Sequence, residues 1–152
     1  MLVDMADSNA GNMARIENKF RTLVVDDDSS MVKLLATTLS RRMSELLEVT
    51  STTEPAYVWG MAASGNVDIC VTDMNMPSIN GFKLLKQLKE LNPLTQVIFL
   101  TAHPTVEAAR SAFSMGADDF LSKPIDLNLL CESVRFMATR AARWQTELIP
   151  SE

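Results

Sequence analysis

Residues 68–77 of the chain read DICVTDMNMP, and the fold prediction starts from this stretch. It is a short apolar run that ends in a carboxylate, Asp73, and continues into a loop stiffened by Pro77. Such a run predicts a buried strand. The carboxyl ends of the strands in an open parallel α/β sheet border the crevice where ligands bind, so we expect Asp73 at such an edge. Taken alone, an aspartate after a strand is more often a turn residue that hydrogen-bonds its own backbone.

Four more apolar runs of this kind occur along the chain, and every run is followed by a helical pattern. The predicted strands are residues 23–25, 46–49, 69–71, 97–100 and 120–122. Strands that alternate with helices indicate right-handed βαβ units and a parallel sheet covered on both faces. With 152 residues, of which 47% are apolar, the chain can bury one good core. We therefore predict a flavodoxin-like α/β three-layer sandwich, a five-stranded parallel sheet flanked by five helices.

The helix ends are predicted from capping residues. Ser29 and Ser30 are the expected caps of the first helix, and Asp126 is the expected cap of the last. Gly116 is expected to end the fourth helix in the left-handed conformation, which glycine adopts without strain.

Composition excludes several classes of function. The net charge is −5 and the pI about 4.9, so the chain lacks the basic surface that releases counterions from nucleic acid. No apolar run approaches the roughly 20 residues that span a bilayer, and no signal-peptide core is visible. Cys70 and Cys131 lie in apolar patterns and are expected to be buried thiols, which suits a reducing compartment. We expect a cytoplasmic protein without direct nucleic-acid or membrane partners.

Polar groups follow four of the predicted strands. Residues 26–28 read DDD, Asp73 ends the third strand, Thr101 the fourth and Lys123 the fifth. Clustered carboxylates raise one another's pKa unless a cation neutralises them, and one lysine cannot balance three acids. An all-oxygen ligand set that keeps several waters suits Mg²⁺. With a metal and Lys123 to offset its charge, a phosphoryl group could be attacked in line by a carboxylate.

These residues resemble the response-regulator receiver domain of two-component signalling, a CheY-like family, over residues 21–139. The resemblance rests on an acidic pair, an Asp-x-x-Met-Pro pattern, a hydroxyl residue and a Lys-Pro pair, found at Asp26-Asp27, Asp73, Thr101 and Lys123-Pro124. It implies that Asp73 takes phosphate from a histidine kinase or phosphotransfer protein. It also implies that Asp27, Asp73 and the main-chain carbonyl of Asn75 ligate Mg²⁺, with Asp26 acting mostly through water.

The resemblance also implies a switch. Thr101 would move toward the phosphoryl group and Phe120 would turn inward, remodelling a surface that an output domain or protein reads. Such a protein catalyses only its own phosphorylation and dephosphorylation. Two residues depart from the family pattern: Phe120 lacks a tyrosine hydroxyl, and Asn80 stands before Gly81 where an acid is frequent.

Two other functions are compatible with parts of this pattern. Asp26 in the sequence DDDSS loosely matches the nucleophile of haloacid-dehalogenase-like phosphatases, but the later acids Asp118 and Asp119 precede Lys123, which is the wrong order. A receiver-shaped module that no longer accepts phosphate is the second alternative. The sole histidine, His103, has no third ligand nearby in sequence, and we interpret it as an exposed loop residue.

The last helix is predicted to be longer than the sheet. Apolar residues recur at intervals of three and four at Leu127, Leu130, Val134, Met137, Ala141, Trp144 and Leu148. A helix over this range is roughly 33 Å long, whereas a strand spans only about 17–20 Å. We therefore predict an N-terminal arm (1–20), a receiver domain (21–139) and a helical extension with tail (140–152). An exposed stripe of Ala141, Trp144 and Leu148 would serve a homodimer or an output domain, unless the end is merely frayed.

Overall fold

A five-stranded parallel sheet forms the middle layer of the computed structural model, which describes residues 19–65 and 67–148. The strands are β1 (Phe20–Val25), β2 (Leu47–Thr52), β3 (Ile69–Asp73), β4 (Gln96–Thr101) and β5 (Asp119–Ser122). Their order is β2-β1-β3-β4-β5, and every neighbouring pair is parallel. The predicted fold is confirmed. Most of the predicted N-terminal arm, up to residue 18, lies outside the described residues, as do residues 149–152.

Five helices cover the two faces of this sheet. They are α1 (Ser29–Arg42), α2 (Ala56–Ala63), α3 (Gly81–Leu91), α4 (Val106–Ser114) and α5 (Leu127–Glu147). Buried side chains of α2, α3 and α4 share one core cluster, and those of α1 and α5 share the other. Cys70 belongs to the first cluster, whereas its neighbours Ile69 and Val71 belong to the second. Because both faces are covered, β3 is apolar at successive positions.

The two cysteines are free and buried, as predicted. Burial raises the pKa of the Cys70 thiol to about 12. Cys70 is therefore protonated at neutral pH and acts as a packed apolar side chain.

Helix caps differ in part from the prediction. Asp28, not Ser29 or Ser30, caps α1, because its carboxylate accepts the backbone N–H groups of Ser30 at 2.9 Å and Met31 at 3.3 Å. The two serines are the first residues of the helix itself. Asp126 caps α5 as predicted, accepting the N–H groups of residues 128 and 129.

Two elements of the structure differ from the sequence prediction. β2 runs to Thr52 rather than ending at residue 49, because its polar second half still pairs with β1 through backbone hydrogen bonds. A two-stranded hairpin, Asn75–Met76 with Ile79–Asn80, follows β3 and was not predicted. Its strands are only two residues long, too short to show a period in the sequence.

The last helix has the predicted length, since its 21 residues span roughly 32 Å. Of the predicted exposed stripe, Leu148 is 52% exposed and Trp144 is half-buried. The prediction for Ala141 is wrong, because this residue is only 8% exposed. The helix is held close to the domain at Arg140, one residue earlier, which brings Ala141 into the core. Within residues 19–65 and 67–148, no helix combines the length and the apolar character that crossing a membrane requires.

Candidate functional site

The end of β1 supplies one deeply buried and one exposed carboxylate. Asp26 is 0% exposed, and its Oδ1 accepts the backbone N–H of Asp28 at 3.0 Å. Asp27 points to the surface. Asp28 caps α1 and so fixes the turn between β1 and α1. In this turn the carboxylate of Asp26 is buried, whereas that of Asp27 is exposed.

The end of β3 presents Asp73 beside a constrained loop. Asp73 is 8% exposed, and its Oδ1 accepts the backbone N–H of Asn75 at 3.0 Å. The next residue, Met74, donates its N–H to the carbonyl of Leu100 at 2.9 Å and accepts the N–H of Gly81 at 3.1 Å. Both peptide groups that flank Met74 are therefore fixed, one by β4 and one by the start of α3.

An open groove of about 640 Å³ runs along this loop beside the site, and it is lined by Asp27, Met74, Asn75, Met76, Pro77, Ser78, Ile79 and Asn80. The hairpin after β3 forms most of its wall. Small polar molecules can therefore approach the carboxylates from this side.

Lys123 connects the two strand ends. Its Nζ donates to Asp26 Oδ2 at 2.9 Å and to Asp73 Oδ2 at 3.1 Å. Its backbone N–H donates to the carbonyl of Thr101 at 2.7 Å, which fixes the start of the loop after β5. Partial burial lowers the pKa of Lys123, but the hydrogen bonds to Asp26 and Asp73, together with the negative charges of these two carboxylates, raise it by more, so the net pKa lies above its ordinary value. Lys123 is thus a fixed cation at neutral pH.

Three carboxylates share this small space. One oxygen each from Asp26, Asp27 and Asp73 lie within 4.8 Å of one another. Loss of hydration, followed by the contact with Asp26 and repulsion from Asp26 and Asp73, raises the pKa of Asp27. Lys123 neutralises only one of three negative charges. A set of carboxylate oxygens with uncompensated charge and one exposed member fits a hard divalent cation such as Mg²⁺.

Thr101 ends β4 and Phe120 lies within β5, the two strands that follow β3 in the sheet. Thr101 is 1% exposed, and its Oγ1 accepts the backbone N–H of His103 at 2.9 Å. The His103 side chain is exposed, as predicted. Phe120 is half-buried, and its ring centroid lies 6.5 Å from that of Phe113.

The structure brings together Asp26, Asp27, Asp73 and Lys123, and it places Asn75 on the adjacent loop. Thr101 ends the strand between β3 and β5. Phe120 lies three residues before Lys123 and away from the carboxylates. Sequence reasoning missed two residues that shape the loop. Asn80 caps α3 by accepting the N–H of Phe82 at 2.7 Å, and Gly81 packs against Met74. Asn80 was interpreted only as a missing charge, although asparagine is a favoured N-cap.

The fold and the site together define a class of protein. It is a doubly wound α/β domain with carboxylates and a lysine at the carboxyl edge of its parallel sheet. Comparison with known proteins identifies the family. The sequence model of the response regulator receiver domain matches residues 22–135, and the chain belongs to this family.

Curated relatives and solved structures agree with this assignment. The chain is 36% identical over 127 residues to the DNA-binding transcriptional regulator NtrC of Escherichia coli K12, covering 84% of this chain and 26% of the relative. It is 34% identical over 114 residues to the response regulator protein PilR of Pseudomonas aeruginosa, covering 75% and 25% of the two chains. The receiver domain of the Francisella response regulator 1452 superposes with a TM-score of 0.73 at 28% identity, covering 81% and 99%.

The chain is therefore a receiver domain of the kind found in two-component response regulators. It spans about a quarter of the length of the curated relatives that it matches. The resemblance inferred from the motifs is confirmed.

Proposed function

We propose that Asp73 is the phosphoacceptor of this receiver domain and that a phosphohistidine of a histidine kinase or phosphotransfer protein is the donor. The contact between Lys123 Nζ and Asp73 Oδ2, at 3.1 Å beside the open groove, carries the proposal. An Asp73 oxygen forms a bond to phosphorus while the P–N bond of the donor breaks, and that electron pair stays on the imidazole nitrogen. The product is an acyl phosphate on Asp73.

The other residues of the site have distinct roles in this proposal. Lys123 offsets negative charge on the phosphoryl oxygens, and buried Asp26 keeps its ammonium in position. Asp27, Asp73 and the main-chain carbonyl of Asn75 would hold Mg²⁺, with Asp26 contributing through water. When bound there, Mg²⁺ supplies further positive charge against the phosphoryl oxygens. Thr101 and Phe120 would then report the phosphorylated state to the surface, with Phe120 acting through packing alone.

The environment of Asp26 disfavours the phosphatase alternative. That reaction would need Asp26 as a free nucleophile, but Asp26 is 0% exposed. Both oxygens of Asp26 accept hydrogen bonds, as do both oxygens of Asp73, so the two residues are distinguished by exposure. Asp73 is 8% exposed, and the two residues that follow it, Met74 and Asn75, line the groove.

Labelling of the wild-type protein tests the proposal. With acetyl phosphate and Mg²⁺ we expect one phosphoryl group per chain, released by hydroxylamine, and mass spectrometry should locate it on the peptide that contains Asp73. With the metal chelated, labelling should be lost. A protein that is folded but never labelled would instead be the phosphorylation-independent interaction module.

Mg²⁺ binding should raise the melting temperature of the protein. Since the three carboxylates repel one another in the folded protein, Mg²⁺ should bind the folded state preferentially and raise the melting temperature. At a hundred times the dissociation constant the gain is about 2.7 kcal/mol. Asp27→Ala should remove this response, whereas Asp28→Asn, which keeps the cap of α1, should retain it. An equal rise in the wild type and Asp27→Ala would contradict the site.

The partners follow from the family and from charge. We infer that an output domain or a separate protein reads the switched surface, and that this segment, with its net charge of −5, does not contact nucleic acid directly. A cytoplasmic location belongs to the same proposal. The homodimer through the last helix, and the division into residues 21–139 and 140–152, stay predictions.

A further inference from the structure

Two neighbouring aspartates at the start of β5 bind the last helix at two points. Asp118 Oδ1 accepts a hydrogen bond from Arg140 Nη2 at 2.7 Å, and Asp119 Oδ2 accepts one from Ser133 Oγ at 2.5 Å. Ser133 and Arg140 are seven residues apart, which is about two helical turns, so both lie on one face of α5. A helix fixed to one strand at two separated points cannot rotate or slide against it without breaking a hydrogen bond.

Asp118 is itself firmly anchored. Its Oδ2 accepts the backbone N–H of Val97 and the ammonium of Lys89, both at 2.9 Å, and its own N–H donates to the carbonyl of Val97 at 2.8 Å. One carboxylate therefore joins β4, α3 and α5 at the start of β5. Charged hydrogen bonds of this kind are stronger than neutral ones, particularly where solvent is partly excluded.

Arg140 has a second polar contact with the sheet. Its Nε donates to Gln96 Oε1 at 2.9 Å, and Gln96, which is 0% exposed, donates through Nε2 to the main-chain carbonyl of Met137 at 2.7 Å. Within the described part of α5, no residue beyond Arg140 has a side-chain hydrogen bond to the sheet. Arg140 is thus the last residue of the described part of α5 that is hydrogen-bonded to the sheet through its side chain, and Ala141 is the last buried one.

Aromatic rings enclose the same guanidinium. The Arg140 carbon Cζ lies 5.4 Å from the ring centroid of Phe136 and 5.3 Å from that of Trp144. The three residues occupy successive turns of α5. Through this stacking the position of Arg140 also fixes the half-buried Trp144, in the segment that extends past the sheet.

The opposite end of β5 reaches the phosphoacceptor site. β5 has only four residues, and Lys123, which contacts Asp73, follows it directly. Phe120 lies within the strand, next to Asp119. A displacement of β5 at the site would therefore be passed along this short strand to Asp118 and Asp119, and through their hydrogen bonds to Ser133 and Arg140 of α5.

We propose that Asp118 and Asp119 couple α5 to β5 as one rigid unit, and that Arg140 sets the direction in which residues 142–147 leave the domain. This coupling goes beyond phosphoacceptance, and it requires no phosphorylation in order to exist. Only its use as a transmitter rests on the proposed function of Asp73.

Hydrogen exchange tests the coupling in the unphosphorylated protein. Arg140→Gln removes the charge that binds Asp118, so amides 142–147 should exchange about tenfold faster than in the wild type. Amides of β1 and β3 should keep their wild-type rates. Arg143→Gln is the matched control, because this exposed arginine lies on the same overhanging segment, and its exchange should match the wild type. Asp118→Asn, which removes the partner charge of Arg140 from the strand side, should reproduce the effect of Arg140→Gln. Wild-type exchange rates in Arg140→Gln would overturn the proposal.

Fluorescence tests transmission. In a Trp59→Phe background Trp144 is the only tryptophan, and its emission should change when the protein is phosphorylated with acetyl phosphate and Mg²⁺. The change should be lost when Ser133→Ala and Arg140→Gln are combined. Unchanged emission in a sample that mass spectrometry shows to be phosphorylated would overturn transmission, as would an equal change in the double variant. A sample without phosphate would contradict the role of Asp73, while the exchange result still decides the coupling.

Discussion

The Asp73→Asn variant is expected to incorporate no detectable phosphate from acetyl phosphate or from a phosphorylated kinase. An amide oxygen is a far weaker nucleophile than a carboxylate and cannot yield an acyl phosphate of the same chemistry. The substitution preserves shape, and its oxygen can still accept the N–H of Asn75, so the loop after β3 should keep its conformation. The measurement is phosphate incorporation by intact mass, with a melting curve to verify folding.

The matched control for this prediction is Asp28→Asn. Asp28 belongs to the same acidic edge, but its carboxylate caps α1, and asparagine caps a helix about as well as aspartate. Labelling should therefore stay near the wild-type level. Hydroxylamine-sensitive phosphate on folded Asp73→Asn would show that another carboxylate accepts the group.

Gly81→Ala is expected to cost about 2–3 kcal/mol of folding stability, because the added methyl group has no space. A Cβ at Gly81 would lie 2.6 Å from the carbonyl oxygen of Met74 and 2.9 Å from its Cα. Both are main-chain atoms held by β4 and α3, so neither can move aside cheaply. For a chain of this size the melting temperature should fall by roughly 4–12 °C.

Gly60→Ala provides the comparison for this effect. Gly60 lies in α2, and a Cβ there would meet nothing within 4 Å. Replacing an exposed helical glycine by alanine should raise stability by up to about 1 kcal/mol. Denaturant unfolding of both variants measures the two effects, which should have opposite signs. A neutral Gly81→Ala variant would mean that the loop after Asp73 shifts freely.

Hydrophobic periodicity was sufficient to predict the fold. Continuous apolar runs such as residues 97–100 are expected where both faces of a strand are covered, and their alternation with helical patterns indicates a parallel sheet. The site followed from the same reasoning, since parallel strands bring their carboxyl ends to one edge regardless of sequence separation. Asp26, Asp73 and Lys123 are far apart in the chain, but each follows a strand.

Side-chain contacts between residues that are far apart in the sequence could not be predicted. Arg140 pairs with Asp118 and Gln96, which are 22 and 44 positions away, and nothing in the local pattern around any of these residues selects the others. The error at Ala141 has the same origin. The apolar period predicts which face of a helix is buried. It does not predict how many residues of that face stay in contact with the domain, because this depends on contacts with residues at the edge of the sheet. The close packing of Gly81 against Met74 likewise appears only in three dimensions.

The contact between Lys123 and Asp73 crosses the end of the strand that lies between them. β4 lies between β3 and β5, so the lysine, which leaves β5 and bonds to Asp73 at the end of β3, must pass over the terminus of β4. Thr101 ends that strand. The backbone N–H of Lys123 donates to the carbonyl of Thr101 at 2.7 Å, so the lysine side chain starts from a main-chain position that is fixed to the end of β4. The distance between the ammonium and Asp73 therefore depends on the alignment of three strand ends, and a shift of any one of them changes it.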